Sequence, residues 1–322
     1  MKTYDVISIG SASIDVFLSS KSKDIEIERI HAHEDVCLPV GAKILIDKLH
    51  TDVGGSGVNS SIAFSRLGFT AGLISKLGRD MHANMIQHKL AQEKVQFLGK
   101  SADGQTGFSL ILSGLQGNRT ILAYKGNNDE ITPADVPRIK AKWLYFGTML
   151  GKSWKTQCKI AHYAKKNGIK VLFNPSLYLA EKGEAYLKPV LDACTILVLN
   201  KEEARALTKT NAGIETLLKK LQNKIPLAVI TDGANGAYAY NGMKTYSIIP
   251  AQIKAVEPTG AGDAFASAFL AALMLKHDIP TALRWGAAQA NSVIQHYGAT
   301  NILLSRKEIA KQAARAGKVM EV

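Results

Sequence analysis

Hydrophobic positions along the chain fall into two alternating patterns. "YDVISIG" is a short apolar run closed by glycine, as in a buried strand. "VNSSIAFSRLG" changes to helical spacing and stops at Gly68; "TAGLISKLG" reads as a strand and "DMHANMIQHKLAQE" as an amphipathic helix. The exchange continues through "KWLYFG", "KTQCKIAHYAKKNG", "KVLFNP", "TILVLN", "KEEARALT" and "PLAVITDG", and two helical segments follow toward the C-terminus. Strands alternating with helices predict an α/β fold, a doubly wound and mostly parallel sheet with helices on both faces.

Two intervals break this rhythm. Residues 17–49 and 106–124, the latter "TGFSLILSGLQGNRTILAY", read as short strands and a Gly/Asn turn with no helix between them. They predict a small antiparallel β lid, assembled from insertions into one domain spanning residues 1–322. The exposed faces of "SLILS" and "RTILAY" alternate apolar and polar residues, so the lid is also the expected contact of a homodimer. The chain has no internal repeat and no low-complexity segment.

Composition narrows the class. With 322 residues, 46% of them hydrophobic, the chain can bury a sizeable core. The apolar run at the N-terminus is short and interrupted by Asp5 and Asp15, and the longest run, Ala264–Leu275, is too short for a bilayer, so neither a signal peptide nor a membrane anchor is expected. Cys37, Cys158 and Cys194 are odd in number and widely spaced, which gives no disulfide framework or zinc spacing and suits a cytoplasmic location. The net charge of +13 raises nucleic acid or an anionic substrate as partner. The lysines of "AKKNGIK" and "LLKKLQNK" read as solvated helix ends without interleaved aromatics, so no nucleic-acid partner is expected. "HAHED" offers His-x-His but no third ligand at helical spacing, and reads as a solvated turn.

The strongest chemical signal is "EPTGAGDAFASAFLAAL", Glu257 to Leu273, where two glycines and one acid precede an apolar helix. A helix N-terminus has unpaired N–H groups and a positive dipole end, so "TGAG" followed by a helix makes an anion cradle. Asp263 falls in the first turn beside it. One reading is a carboxylate stabilising its own helix. The other is a general base placed where a phosphoryl group is held.

Two stretches together resemble a known family, the ribokinase-like (phosphofructokinase B type) carbohydrate and nucleoside kinases. "GGSGVNSSIAFSRLG" (Gly54–Gly68) is similar to the family's N-terminal signature and "PTGAGDAFASAFL" (Pro258–Leu270) to its C-terminal one, in order and about 200 residues apart. The resemblance spans nearly the whole chain. It implies an ATP-dependent kinase of a sugar hydroxyl, with Asp263 as catalytic base and the backbone amides of Gly260, Ala261 and Gly262 as the anion hole. "GSASIDV" puts Asp15 at the end of the first strand, where the family grips sugar hydroxyls; a carboxylate accepts two hydrogen bonds and suits a diol. Ser13, Gly55 and Asn59 complete the implied sugar contacts. For Gly55 and Asn59 helix capping at a tight turn is a compatible structural role.

"LNKEEARAL" looks like the family's Asn-x-x-Glu element, with Asn200 and Glu203 holding Mg²⁺ through water; a helix-capping pattern is the structural alternative. "TDGANGAY" resembles the segment that contacts ATP phosphates through Thr231, Gly233 and Gly236, and "AAQANSVIQHYGA" the helix that turns Asn291 toward the adenine.

The departures concern the substrate. Ribokinase itself has Asn in place of Ser13, Lys in place of Ser56 and an acidic sugar contact near Thr148, so ribose is not the expected ligand. Leu38, Val40 and Lys43 of "CLPVGAKI" suit a lid over either a sugar or a nucleobase. Glu257 and Pro258 stand where relatives often carry Asp and Thr, which leaves activation by a monovalent cation open. A nucleoside kinase is the close alternative, and a non-catalytic sugar- or nucleotide-binding protein on this scaffold the more distant one. A dinucleotide-dependent dehydrogenase needs G-x-G-x-x-G after the first strand, which leads instead into "GSASID", and there is no Walker A lysine motif for a P-loop kinase.

Overall fold

In the computed structural model, which describes residues 3–20, 22, 25–30, 33–115 and 118–322, the central strands send alternate side chains into two helical layers. Val6, Tyr145, Leu172, Val198 and Val229 face one layer, together with Phe265 and Phe269. Their neighbours Ile7, Leu144, Phe146, Val171, Phe173, Leu197 and Ala228 face the other. Burial on both faces explains why these strands read as continuous apolar runs rather than as an alternation.

Among the described residues the main sheet has ten strands. In spatial order they are Gly317–Glu321, Thr245–Pro250, Ala237–Tyr240, Leu227–Thr231, Ile196–Asn200, Lys170–Phe173, Ala141–Phe146, Tyr4–Ile9, Ala71–Ile74 and Gln96–Phe97. From Leu227–Thr231 to Gln96–Phe97 every pair is parallel; the strands from Ala237 onward are antiparallel. The chain first builds outward from Tyr4–Ile9 to Gln96–Phe97, then returns to place Ala141–Phe146 on the opposite side of Tyr4–Ile9. Strand order therefore reverses there, and a doubly wound sheet opens its ligand crevice at such a point, beyond the C-terminal strand ends.

The expected lid is a four-stranded sheet ordered Asn118–Tyr124, Gly107–Leu115, Ser13–Ser19, Lys48–Gly54. It differs from the expectation in two respects. The sheet is mixed, because Ser13–Ser19 and Gly107–Leu115 run parallel. Asp15 lies inside a lid strand and not at the end of the first strand, because the chain bends at Gly10–Ala12 and starts a new strand at Ser13. Asn128 fixes that bend, donating to Ala12 O at 2.8 Å and accepting from Ala12 N at 2.9 Å. Glu26–Ile30 and His33–Cys37 form a separate antiparallel hairpin; of "HAHED", His31 and Ala32 lie outside the described residues, and the remainder is strand.

Two helices meet at the crevice. Ser56–Arg66 starts from Gly55 at φ 92°, where an added Cβ would stand 2.6 Å from Ser11 O. Ala261–Met274 starts from Gly260 at φ 83°. Both turns need the left-handed backbone that glycine adopts without strain. No helix among the described residues is long and apolar enough to cross a membrane.

Candidate active site

Two cavities meet at the crevice. The first, about 400 Å³, lies between the lid and the C-terminal ends of the parallel strands. Ser13, Asp15, Gly55, Asn59, Asn200, Glu203, Thr231, Gly260, Gly262 and Asp263, all singled out in the sequence, line it. The second, about 520 Å³ and mostly apolar, lies over the antiparallel end of the sheet and is lined by Gly233, Gly236, Ala261, Phe265 and Asn291 among others. Thr231, Pro258 and Gly262 line both. Asp263, one residue beyond Gly262, therefore sits at their junction.

Both oxygens of Asp263 are held. Asn59 Nδ2 donates to Oδ2 at 3.0 Å, and the Tyr145 hydroxyl lies 3.0 Å from Oδ1. Burial raises the Asp263 pKa, while the bonds from Asn59 and Tyr145 oppose that rise by favouring the anion. Asn59, an expected sugar contact, thus has its amide NH₂ bonded to Asp263. Among the amides expected to form an anion hole, Ala261 N turns back to Pro258 O at 3.2 Å, and Gly262 faces both cavities. Glu257, 2% exposed, anchors the loop ahead of them by accepting from Thr259 N at 3.0 Å and Thr259 Oγ1 at 2.6 Å. The lid residue Arg119 lies 3.6 Å from the same carboxylate.

On the lid side, Asp15 is buried and accepts from Ser13 Oγ at 2.9 Å. Its pKa is raised, first by burial and further by Asp52, against the lowering effects of Ser109, Ser13 and Lys125. Lys125 and Arg119 bring two cations to the same cavity wall. Burial pushes the Lys125 ammonium down, while Asp129 and Asp15 hold it up. Ser56 and Thr148 are present on the wall as short hydroxyls. Leu38, Val40 and Lys43 line neither cavity and are exposed.

Asn200 and Glu203 form a capping box: Asn200 Oδ1 accepts from Glu203 N at 2.8 Å and Glu203 Oε2 from Asn200 N at 2.8 Å. The capping alternative is thus realised, with both side chains also on the cavity wall. Burial, then the charges of Glu202 and Asp263, push the Glu203 carboxyl up to about 7. Nearby, Lys201 pairs with Asp232 at 2.7 Å beside Thr231.

Sequence reasoning missed Tyr145, Asn174, Lys125 and Arg119. Tyr145 carried no signal, because an aromatic in "KWLYFG" reads as core, which its ring also is. Lys125 follows "RTILAY" at the end of a lid strand, and a single lysine there is indistinguishable from a solvated one.

The pfkB family carbohydrate kinase profile matches residues 5–306. The chain belongs to that family and is a phosphotransferase acting on an alcohol group of a sugar. It is 27% identical to the 5-dehydro-2-deoxygluconokinase of Bacillus velezensis, over 96% of this chain and 94% of that protein. It is 26% identical to the ribokinase of Staphylococcus aureus, over 92% and 95%. Its backbone superposes on a probable sugar kinase from Rhizobium etli with a TM-score of 0.83 at 23% identity, covering 98% and 99% of the two chains, which establishes the shared fold.

Proposed function

We propose that the chain transfers the γ-phosphoryl group of ATP to a hydroxyl of a sugar acid of the 5-dehydro-2-deoxygluconate kind, with Asp263 as general base. The observation that carries this reading is the junction of the two cavities at Thr231, Pro258 and Gly262, beside Asp263. The apolar cavity suits adenine, with Asn291 on its wall; the lid cavity suits a polyol, with Asp15 as acceptor. A phosphoryl group at the junction would meet the N-terminus of the Ala261–Met274 helix, where unpaired amides and the helix dipole favour negative charge. Asp263 then takes the proton of the attacking hydroxyl.

Lys125 and Arg119 favour an acidic sugar. A carboxylate on the substrate would pair with cations that already face the cavity, one of them half-buried. The name of the Bacillus relative, a kinase of a keto sugar acid, points the same way. Asn200 and Glu203 are the residues that would hold Mg²⁺, whose preference for few protein oxygens and several waters fits this sparse donor set. A cation there would also relieve the mutual repulsion of Glu203 and Asp263.

An ADP-release screen over keto sugar acids, neutral pentoses and hexoses, and nucleosides tests the reading. Fastest turnover is expected with a six-carbon keto sugar acid. Turnover confined to nucleosides or neutral sugars would overturn the substrate class, and binding of ATP and sugar without ADP release would leave a sensor on this scaffold.

A further inference from the structure

Tyr145 places one hydroxyl between two acceptors. Its Oη lies 3.0 Å from Asp263 Oδ1 and 3.0 Å from Asn174 Oδ1. A neutral phenol has a single proton, so it donates to one of them at a time. The ring is fully buried and packs edge-on against Phe64 at 5.9 Å, so the hydroxyl can turn while the ring stays in place. Asn174 is held as well: its Nδ2 donates to Val198 O at 2.9 Å, which directs Oδ1 toward Tyr145. The charged and titratable groups facing Tyr145 are Asp263 on the Ala261–Met274 helix and Glu203 on the Lys201–Thr208 helix; burial first, and then both carboxylates, disfavour a phenolate there.

We propose that Tyr145 and Asn174 form a two-position hydroxyl switch that lets Asp263 accept and release the substrate's proton at the cavity wall. While Asp263 is a carboxylate, Tyr145 donates to Oδ1, the stronger acceptor because it is charged. In the transfer, the substrate O–H bond breaks and its proton passes to Asp263. The substrate oxygen bonds to the γ-phosphorus, and the bond from that phosphorus to the bridging oxygen breaks with its electron pair leaving on ADP. Asp263 is then neutral and a weaker acceptor, and the Tyr145 hydroxyl turns to Asn174 Oδ1 rather than remaining without a good partner. Tyr145 keeps its own proton throughout. It is a positioning residue that balances the two protonation states of the base, so that neither is fixed by a hydrogen bond that only one of them can satisfy.

The proposal rests on Asp263 as base, and it is tested without turnover. In protein labelled with ¹³C at aspartate Cγ, Glu203 is silent, and the Asp263 resonance is the one missing from Asp263→Asn. Tyr145→Phe removes the donor to the anion and should raise the Asp263 titration midpoint by about one pH unit. Asn174→Leu removes the alternative acceptor, keeps the Tyr145 proton on the carboxylate and should lower the midpoint by a similar amount. If Asn174→Leu does not fold, Asn174→Ser, too short to reach the hydroxyl, gives the same reading. Both variants should also turn over about tenfold more slowly with little change in substrate KM. Opposite shifts support the switch. Midpoints that stay at the wild-type value, or move in the same direction, overturn it, whatever Asp263→Asn does to turnover.

Discussion

Asn59 donates to Asp263 across 3.0 Å and 204 residues of sequence, joining the opening turns of the two helices that carry the N-terminal and C-terminal signatures. The pair explains why the glycines before both helices matter together. Gly55 and Gly260 let each helix begin from a residue of positive φ, and Asn59 and Asp263 face each other in the first turns that follow. The bond thus ties the starts of the two helices together across the crevice.

Asp15 should act on one ligand only. Asp15→Ala is expected to weaken binding of the sugar substrate by about 2–4 kcal/mol, as for loss of a charged hydrogen-bonding group, and to leave ATP affinity close to wild type. Calorimetric titration with each ligand separates this from a structural role in the lid strand, which would weaken both.

Lys125 should determine the preference for acidic substrates. Lys125→Met retains the buried stem and removes the charge, so the KM for a keto sugar acid should rise about 10–100-fold while that for neutral sugars holds or falls. Equal effects on charged and neutral substrates would show that Lys125 serves only Asp15 and Asp129.

Glu203 should make the free protein less stable as pH rises. Its carboxyl sits at about 7 in the fold against an ordinary 4.5, so the folded state holds the proton more tightly than the unfolded state does between those values. That contribution is complete below about pH 4.5 and is lost as pH rises through about 7. Glu203→Gln keeps a capping side chain and removes the titration, so it should melt like wild type near pH 4 and higher than wild type at pH 8. Thermal melts across this range check it; parallel wild-type and variant curves would contradict the buried-carboxylate assignment.

The lid should also pair copies of the chain. Asn118–Tyr124 is an edge strand, and Leu122 and Tyr124 on it are 57% and 53% exposed. Light scattering should report a homodimer that Leu122→Lys dissociates. A monomer at high protein concentration would dismiss the contact.

The fold was legible in the sequence wherever local pattern and burial agreed. Runs such as "TILVLN", short and rich in β-branched residues, read as strands covered on both faces, and the two glycine-rich turns announced the helices that bound the site. The bend at Gly10–Ala12 was not legible. It depends on Asn128, whose two bonds to Ala12 cross 116 residues, and no local spacing records such a partner. The parallel pairing of Ser13–Ser19 with Gly107–Leu115 was hidden as well, since the two strands lie far apart in sequence and no local pattern sets their relative direction. Tyr145 was hidden differently: its ring belongs to the core and only its hydroxyl to the site, and hydropathy reports the ring.

The central claim is that Asp263 is the base at the junction of the two cavities, and the direct test is single-turnover phosphoryl transfer by Asp263→Asn. The substitution keeps the shape and one acceptor oxygen but removes charge and basicity. The rate constant should fall roughly 10²–10⁴-fold, the usual range for loss of a general base, with ATP and substrate affinities little changed. The helix also loses a favourable charge in its first turn, which costs only about 0.3–1 kcal/mol and is compatible with either role. Transfer at a near wild-type rate would make Asp263 a helix-start residue and contradict the assignment.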